Sequence, residues 1–182
     1  MKNLLLLVLL ALSSCKKEST ETYYQSVQIG NQTWMALNWD AVTYRNGDSI
    51  PQITDSLTWV NAKYGAWCYY NNDPLNGQRY GKLYNWYAVN DSRGLAPLGW
   101  HIPNDQEFTD MIADHGLDIG GFYEMLGGYV GYSTHGLGQY GKWWSSNDSD
   151  SIMASGYHVS NNYFDQYYYC KLNGFSIRLI KD

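Results

Sequence analysis

Charged side chains make up only 16% of this 182-residue chain, and phenylalanine and cysteine are scarce, at four and three. The single long apolar run, Leu4 to Leu12, is nine residues, short of the roughly 20 that a bilayer-spanning helix needs. Basic residues are outnumbered, 12 Lys and Arg against 17 Asp and Glu. No basic run interleaves with aromatics, so nucleic acid is excluded as a partner. The four histidines, His101, His115, His135 and His158, are scattered, and no C-x-x-C frame exists. A transition-metal site is therefore not expected. No serine sits in a G-x-S-x-G elbow, and Asp105 with Glu107 reads as the acidic first turn of a helix. The chain is accordingly read as non-enzymatic, with no catalytic residue and no metal ligand assigned.

What is present at the amino end gives an address. Lys2 supplies a positive n-region, and Leu4 to Leu12 an h-region. Leu12-Ser13-Ser14-Cys15 resembles a bacterial lipobox, which implies acylation of the Cys15 thiol and cleavage before it. Residues 1–14 are then a lipoprotein signal peptide, 15–25 a lipidated cysteine and flexible tether, and 26–182 one domain. A tether of about ten residues reaches at most about 35 Å. The expected place is the cell envelope, on the outer membrane of a Gram-negative bacterium, held to the membrane by lipid.

The chain is rich in tyrosine, tryptophan and glycine, at 18, 8 and 18. Tyr and Trp suit half-wet positions, where a ring packs while its polar tip keeps a hydrogen bond, and they anchor binding surfaces. Beyond Cys15, two cysteines remain, Cys68 and Cys170, both beside aromatics. In an oxidising compartment they are candidates for a disulfide. The other reading is two buried free thiols acting as small hydrophobes.

Along the chain, Val27 and Ile29, the turn residues Gly30-Asn31-Gln32, and Thr33 to Met35 predict a β-hairpin. Asp40 to Ile53 predicts a loop around Arg45-Asn46-Gly47-Asp48, and Ala66 to Tyr70 a strand ended by Asn71-Asn72-Asp73-Pro74. Tyr80 to Asn90 carries Leu83, Trp86 and Tyr87 at helical spacing. A second helix starts at Asn104 with a capping box to Glu107, buries Phe108, Met111 and Ile112, and stops at Gly116. The last forty residues predict a meander, Lys142 to Ser146, Ile152 to Val159, Tyr163 to Lys171 and Phe175 to Lys181. In its final strand Phe175, Ile177 and Leu179 are expected inward, Ser176 and Arg178 outward.

Taken in order, Gly30 to Ala36, Trp67 to Asp73, Tyr80 to Trp86, Gly99 to Pro103, Gly127 to Tyr129, Tyr140 to Ser146 and Gly174 to Arg178 resemble the Fibrobacter succinogenes major paralogous domain. The resemblance covers about residues 26–182. It implies an exported α+β domain similar to the C-type lectin-like fold, with two helices and a twisted antiparallel sheet ending in a strand meander. It implies no activity. Family members commonly carry a cysteine in the final strand, where this chain has Leu179, and the stretch from Ile119 to Gly127 is shortened. Cys170 is the candidate to replace that cysteine.

Two clusters carry candidate chemistry. Asn147-Asp148-Ser149-Asp150 gathers oxygens where sugar-binding C-type lectins place part of a calcium site, but calcium wants six to eight oxygens and one turn supplies few. A solvated turn is the better reading, and no cofactor is expected. Between Tyr157 and Tyr169, the rings and polar groups of Tyr157, His158, Asn161, Asn162, Tyr163, Asp165, Gln166, Tyr167 and Tyr169 fall on adjoining strands and their turn. Alternation sends about half of them outward, fit to stack on a sugar face or an apolar patch. The segment is also similar to the variable region of C-type lectin-like proteins diversified by retroelements. The expected function is a non-catalytic binding module for a glycan or a surface protein. A self-associating structural or adhesive component is the first alternative, and a glycan-active enzyme the second.

Overall fold

Asn104 and Glu107 set the one long helix among the described residues, and their exchange is visible in the computed structural model, which describes residues 24–115, 121–122, 125–160 and 163–182. The Asn104 side chain accepts from the Glu107 amide at 3.0 Å, and the Glu107 carboxylate accepts from the Asn104 amide at 2.8 Å. This is the reciprocal capping box. Cys15 and the tether up to Tyr23 lie outside the described residues, as does Gly116.

In chain order the elements are β1 (Ser26–Ile29), β2 (Gln32–Met35), α1 (Ser56–Trp59), β3 (Trp67–Cys68), α2 (Pro74–Tyr80), β4 (Leu83–Asn85), α3 (Trp86–Val89), β5 (Trp100–His101) and α4 (Asp105–His115). Then follow β6 (Tyr129–Val130), β7 (Thr134–His135), β8 (Tyr140–Asp148), β9 (Met153–Ser160), β10 (Tyr163–Cys170), β11 (Gly174–Phe175) and β12 (Ile180–Lys181). The fold is mixed, mostly antiparallel sheet with few helices. One sheet has the order β1-β2-β12-β5, a second β3-β4-β11-β6-β7, and a third β10-β9-β8.

The hairpin β1–β2 and the turn at Arg45-Asn46-Gly47-Asp48 stand where the sequence puts them; in the latter, Tyr44 N–H donates to the Asp48 carbonyl. The helix expected over Tyr80 to Asn90 does not form as one piece. Gly81, at φ 76°, ends α2, and Leu83–Asn85 runs on as β4 between β3 and β11. Only then does Asn85 cap the single turn α3, accepting from the Ala88 amide at 3.1 Å. The α2 helix has its own start signal, since Asp73 caps the Leu75 amide at 2.9 Å and Pro74 takes the first turn.

The meander is real for three strands and breaks at the fourth. Past Cys170 the chain leaves the third sheet: β11 inserts between β4 and β6, and β12 between β2 and β5. With neighbours on both sides, residues 174–180 are buried, and Ser176 and Arg178 lie fully inside rather than outward. Arg178 has no carboxylate against it among the described residues. Its guanidinium donates to Asn38 at 3.2 Å and to the carbonyls of Met35 and Ala36 at 3.2 and 3.0 Å, and lies 4.3 Å over the Phe122 ring.

Among the described residues three apolar clusters fill the interior. One centres on Trp144, Phe175 and Tyr84; another on Trp34, Phe108, Phe122 and Trp143 beneath α4; the smallest on Trp59, Cys68 and Leu83. Cys68 and Cys170 do not pair. Cys68 is buried in β3 opposite Leu83, while Cys170 ends β10 opposite Met153 in a different sheet. Both thiols are free, and burial pushes that of Cys68 up to about 12, which makes it an inert core residue.

Candidate functional site

Register decides which of the predicted site residues share a face. Across β10 and β9 the partners are Tyr163 with Ser160, Asp165 with His158, Tyr167 with Gly156, and Tyr169 with Ala154. Across β9 and β8, His158 faces Lys142 and Ser160 faces Tyr140. Directly opposed residues project to the same side. His158, Tyr163, Asp165, Tyr167 and Tyr169 are therefore brought together on one face, with Tyr140 and Lys142.

Tyr157 is not among them. It projects to the other side, is 2% exposed, and stacks on Phe108 with ring centroids 4.2 Å apart. Its hydroxyl donates to the Asp105 carbonyl at 3.1 Å, and burial pushes its pKa up to about 12. Tyr157 is a core residue holding α4, and its removal from the candidate site follows from strand parity. Gln166 shares that side, where its amide donates to Asp105 and to Ser155 at 2.8 and 2.9 Å. Asn161 and Asn162 fall at the β9–β10 turn, outside the described residues.

On the shared face the rings form a continuous band from core to solvent. Trp144 stacks on Phe175 at 4.2 Å, Tyr169 meets Phe175 edge-on at 4.8 Å, and Tyr167 meets Tyr169 at 6.1 Å. Tyr129, from β6, joins from the side, 5.9 Å from Phe175 and 6.2 Å from Tyr140. Tyr167 finishes the band at 50% exposure, and Tyr163, at 62%, lies farther along the same face. Gly156 makes the packing possible: a Cβ there would lie 3.2 Å from the Tyr169 ring and 3.4 Å from Phe175. Rings seated on a rigid support lose little freedom when a ligand stacks on them.

Lys142 sits among these rings, with Nζ 4.1 Å from the Tyr129 centroid, 4.2 Å from Tyr169 and 5.5 Å from Phe175. Burial pushes its pKa down to about 8. His158, edge-on to Tyr140 at 5.0 Å, is lowered by burial and by the neighbouring Lys142 charge, against an opposite pull from Asp165. Sequence reasoning missed Lys142, Tyr140 and Tyr129. The period-2 pattern of Tyr140-Gly141-Lys142 alongside a tyrosine-rich strand was the available signal.

One side-chain oxygen each of Asn147, Asp148 and Asp150 is engaged inside the chain. Asp148 pairs with Lys171 at 2.6 Å, Asp150 accepts from the Ile152 and Met153 amides, and the Asn147 side chain caps the Asp105 amide. No group of three or more His, Cys, Asp or Glu is placed to hold a metal among the described residues. A separate cleft of about 450 Å³ lies between Tyr64, Trp86, Tyr87 and Arg93. The Trp86 indole N–H there is buried without a partner among the described residues.

A family model described as the Fibrobacter succinogenes major domain matches residues 27–120. No curated protein and no solved structure matches the chain.

Proposed function

This chain belongs to the Fibrobacter succinogenes major domain family, and we propose that it binds a glycan or a surface protein, without catalysis, on the face of β8, β9 and β10 that carries Tyr163 and Tyr167. The observation that carries this reading is the ring band running from buried Trp144 and Phe175 to exposed Tyr167. Aromatic faces with free hydroxyls are suited to sugar rings and to apolar protein patches alike. The module is held to the cell envelope by lipid on Cys15, on the outer membrane of a Gram-negative cell. Radiolabelled palmitate incorporated by the wild type and lost on Cys15→Ser is the expected result, and label retained on that variant sinks the anchor. The domain is of the C-type lectin-like kind, a reading supported by the meeting of the first and last strands, β1 and β12, in one sheet around β2.

The test of the binding face is a screen of the purified protein against glycans and envelope proteins, repeated with Tyr163→Ala/Tyr167→Ala. Two stacking rings at about 0.5–1.5 kcal/mol each predict a loss of roughly tenfold or more. Binding that ignores both changes but falls on Trp86→Phe would move the site to the cleft beside α3.

One observation favours a second reading, self-association. Among the described residues β10 pairs on one side only, and its eight residues include no lysine or proline. Such an edge is open to strand addition. Sedimentation that shifts with protein concentration would favour it over a monomeric receptor.

A further inference from the structure

We propose that the ring-lined face recognises a carboxylate-bearing sugar, a uronic or sialic acid, with the Lys142 ammonium meeting the carboxylate; this deepens the glycan arm of the proposed function and rests on it. The starting point is an unequal treatment of cations: Lys82, Lys171 and Arg178 are buried and Lys142 is half-buried. Lys171 pairs with Asp148 and donates to the Asp150 carbonyl at 2.5 Å, Lys82 donates to the Asp40 carbonyl, and Arg178 donates to two carbonyls and Asn38. Each of these has an oxygen. Lys142 has three aromatic rings and, among the described residues, no oxygen acceptor and no carboxylate. An ammonium strongly prefers an anionic or carbonyl oxygen when it is taken from water.

The surroundings narrow the anion. His158, directly across from Lys142, has a buried Nε2 with no partner among the described residues. The hydroxyls of Tyr129, Tyr140, Tyr167 and Tyr169 bond to no described residue and stay free for sugar hydroxyls. Asp165, opposite His158, is the carboxylate facing this group of residues. A single ammonium suits one carboxylate per ring. The chain's acidic balance, 17 against 12, disfavours a dense polyanion. Burial lowers the Lys142 pKa to about 8, so an anion bound to it is held at neutral pH and released as pH rises; Asp165, His158 and the four tyrosines are the other ionisable groups on the face.

The experiment compares glucuronate-, galacturonate- and sialate-terminated oligosaccharides with their methyl esters, which keep shape and lose charge. The acid is expected to bind about tenfold more tightly than its ester, Lys142→Gln to erase that difference while the ester still binds, and Lys142→Arg to restore part of it. A melting curve of each variant establishes that it is folded. Equal binding of acid and ester by the wild type, or an acid preference that survives Lys142→Gln, overturns the inference and leaves the glycan reading standing. Failure of every sugar, acid and ester, overturns the glycan reading itself.

Discussion

Replacing Asn38 by alanine is expected to lower the melting temperature by roughly 10 °C. This side chain is 6% exposed and ties four segments of the chain together. Its amide donates to the Tyr80 carbonyl at 2.8 Å and to the Met125 carbonyl and Ser176 hydroxyl at 3.3 Å. Its oxygen accepts from the Trp143 indole at 2.8 Å and from Arg178 Nε at 3.2 Å. The guanidinium is the critical partner. It is fully buried, without a carboxylate among the described residues, and one of its terminal nitrogens already lacks an acceptor. Burial alone holds its pKa below the ordinary arginine value. Alanine would leave Arg178 Nε and the Trp143 indole without their acceptor, each at about 1–3 kcal/mol, for a total of about 3–5 kcal/mol after relaxation. At about 2–4 °C per kcal/mol for a domain of this size, the shift is large. Calorimetry of the variant checks it, and a drop below about 2 °C would mean that water or neighbouring groups replace every lost bond.

Phe108→Ala is the second large effect, and it bears on the candidate site from beneath. Phe108 is fully buried, stacked on Tyr157 and within 5.3 and 6.0 Å of the Trp34 and Phe164 rings. Removing a buried phenylalanine costs about 3–5 kcal/mol through lost transfer energy and the cavity left behind. The cavity would open between α4, Trp34 of β2 and the side of β9 and β10 that carries Tyr157 and Phe164. Hydrogen exchange should therefore accelerate more in β2, β9 and β10 than in β3 and β4. Leucine at the same position should recover much of the loss. Uniform acceleration in all strands would show that α4 supports the whole domain equally rather than this sheet.

How much was legible depends on whether the signal was local. The capping box of Asn104 and Glu107, the turn of the β1–β2 hairpin and the first three strands of the meander rest on residues near in sequence, and each was readable. The Asp73-Pro74 start of α2 was local too, but the same residues also read as a strand-ending turn. The final segment was not legible, because alternation of Phe175, Ser176, Ile177 and Arg178 describes a strand with one wet face, and two sheets closing around it left none. Of the candidate site, strand parity placed Tyr163, Asp165, Tyr167 and Tyr169 together. The same parity, set by register with β8, removed Tyr157. Lys142 and Tyr129 join only through pairings and packing between segments far apart in sequence, which composition does not reveal. The cysteine pair failed for a related reason: two thiols in a chain say nothing about whether β3 and β10 bring them side by side.

The insertion of β11 between β4 and β6, and of β12 between β2 and β5, also orders events in time. A chain that emerges amino end first has two sheets with an empty central position until the segment from Gly174 onward arrives. Closure therefore waits for the carboxyl end, and the long sequence separations involved make it slow by the usual dependence of folding rate on topology.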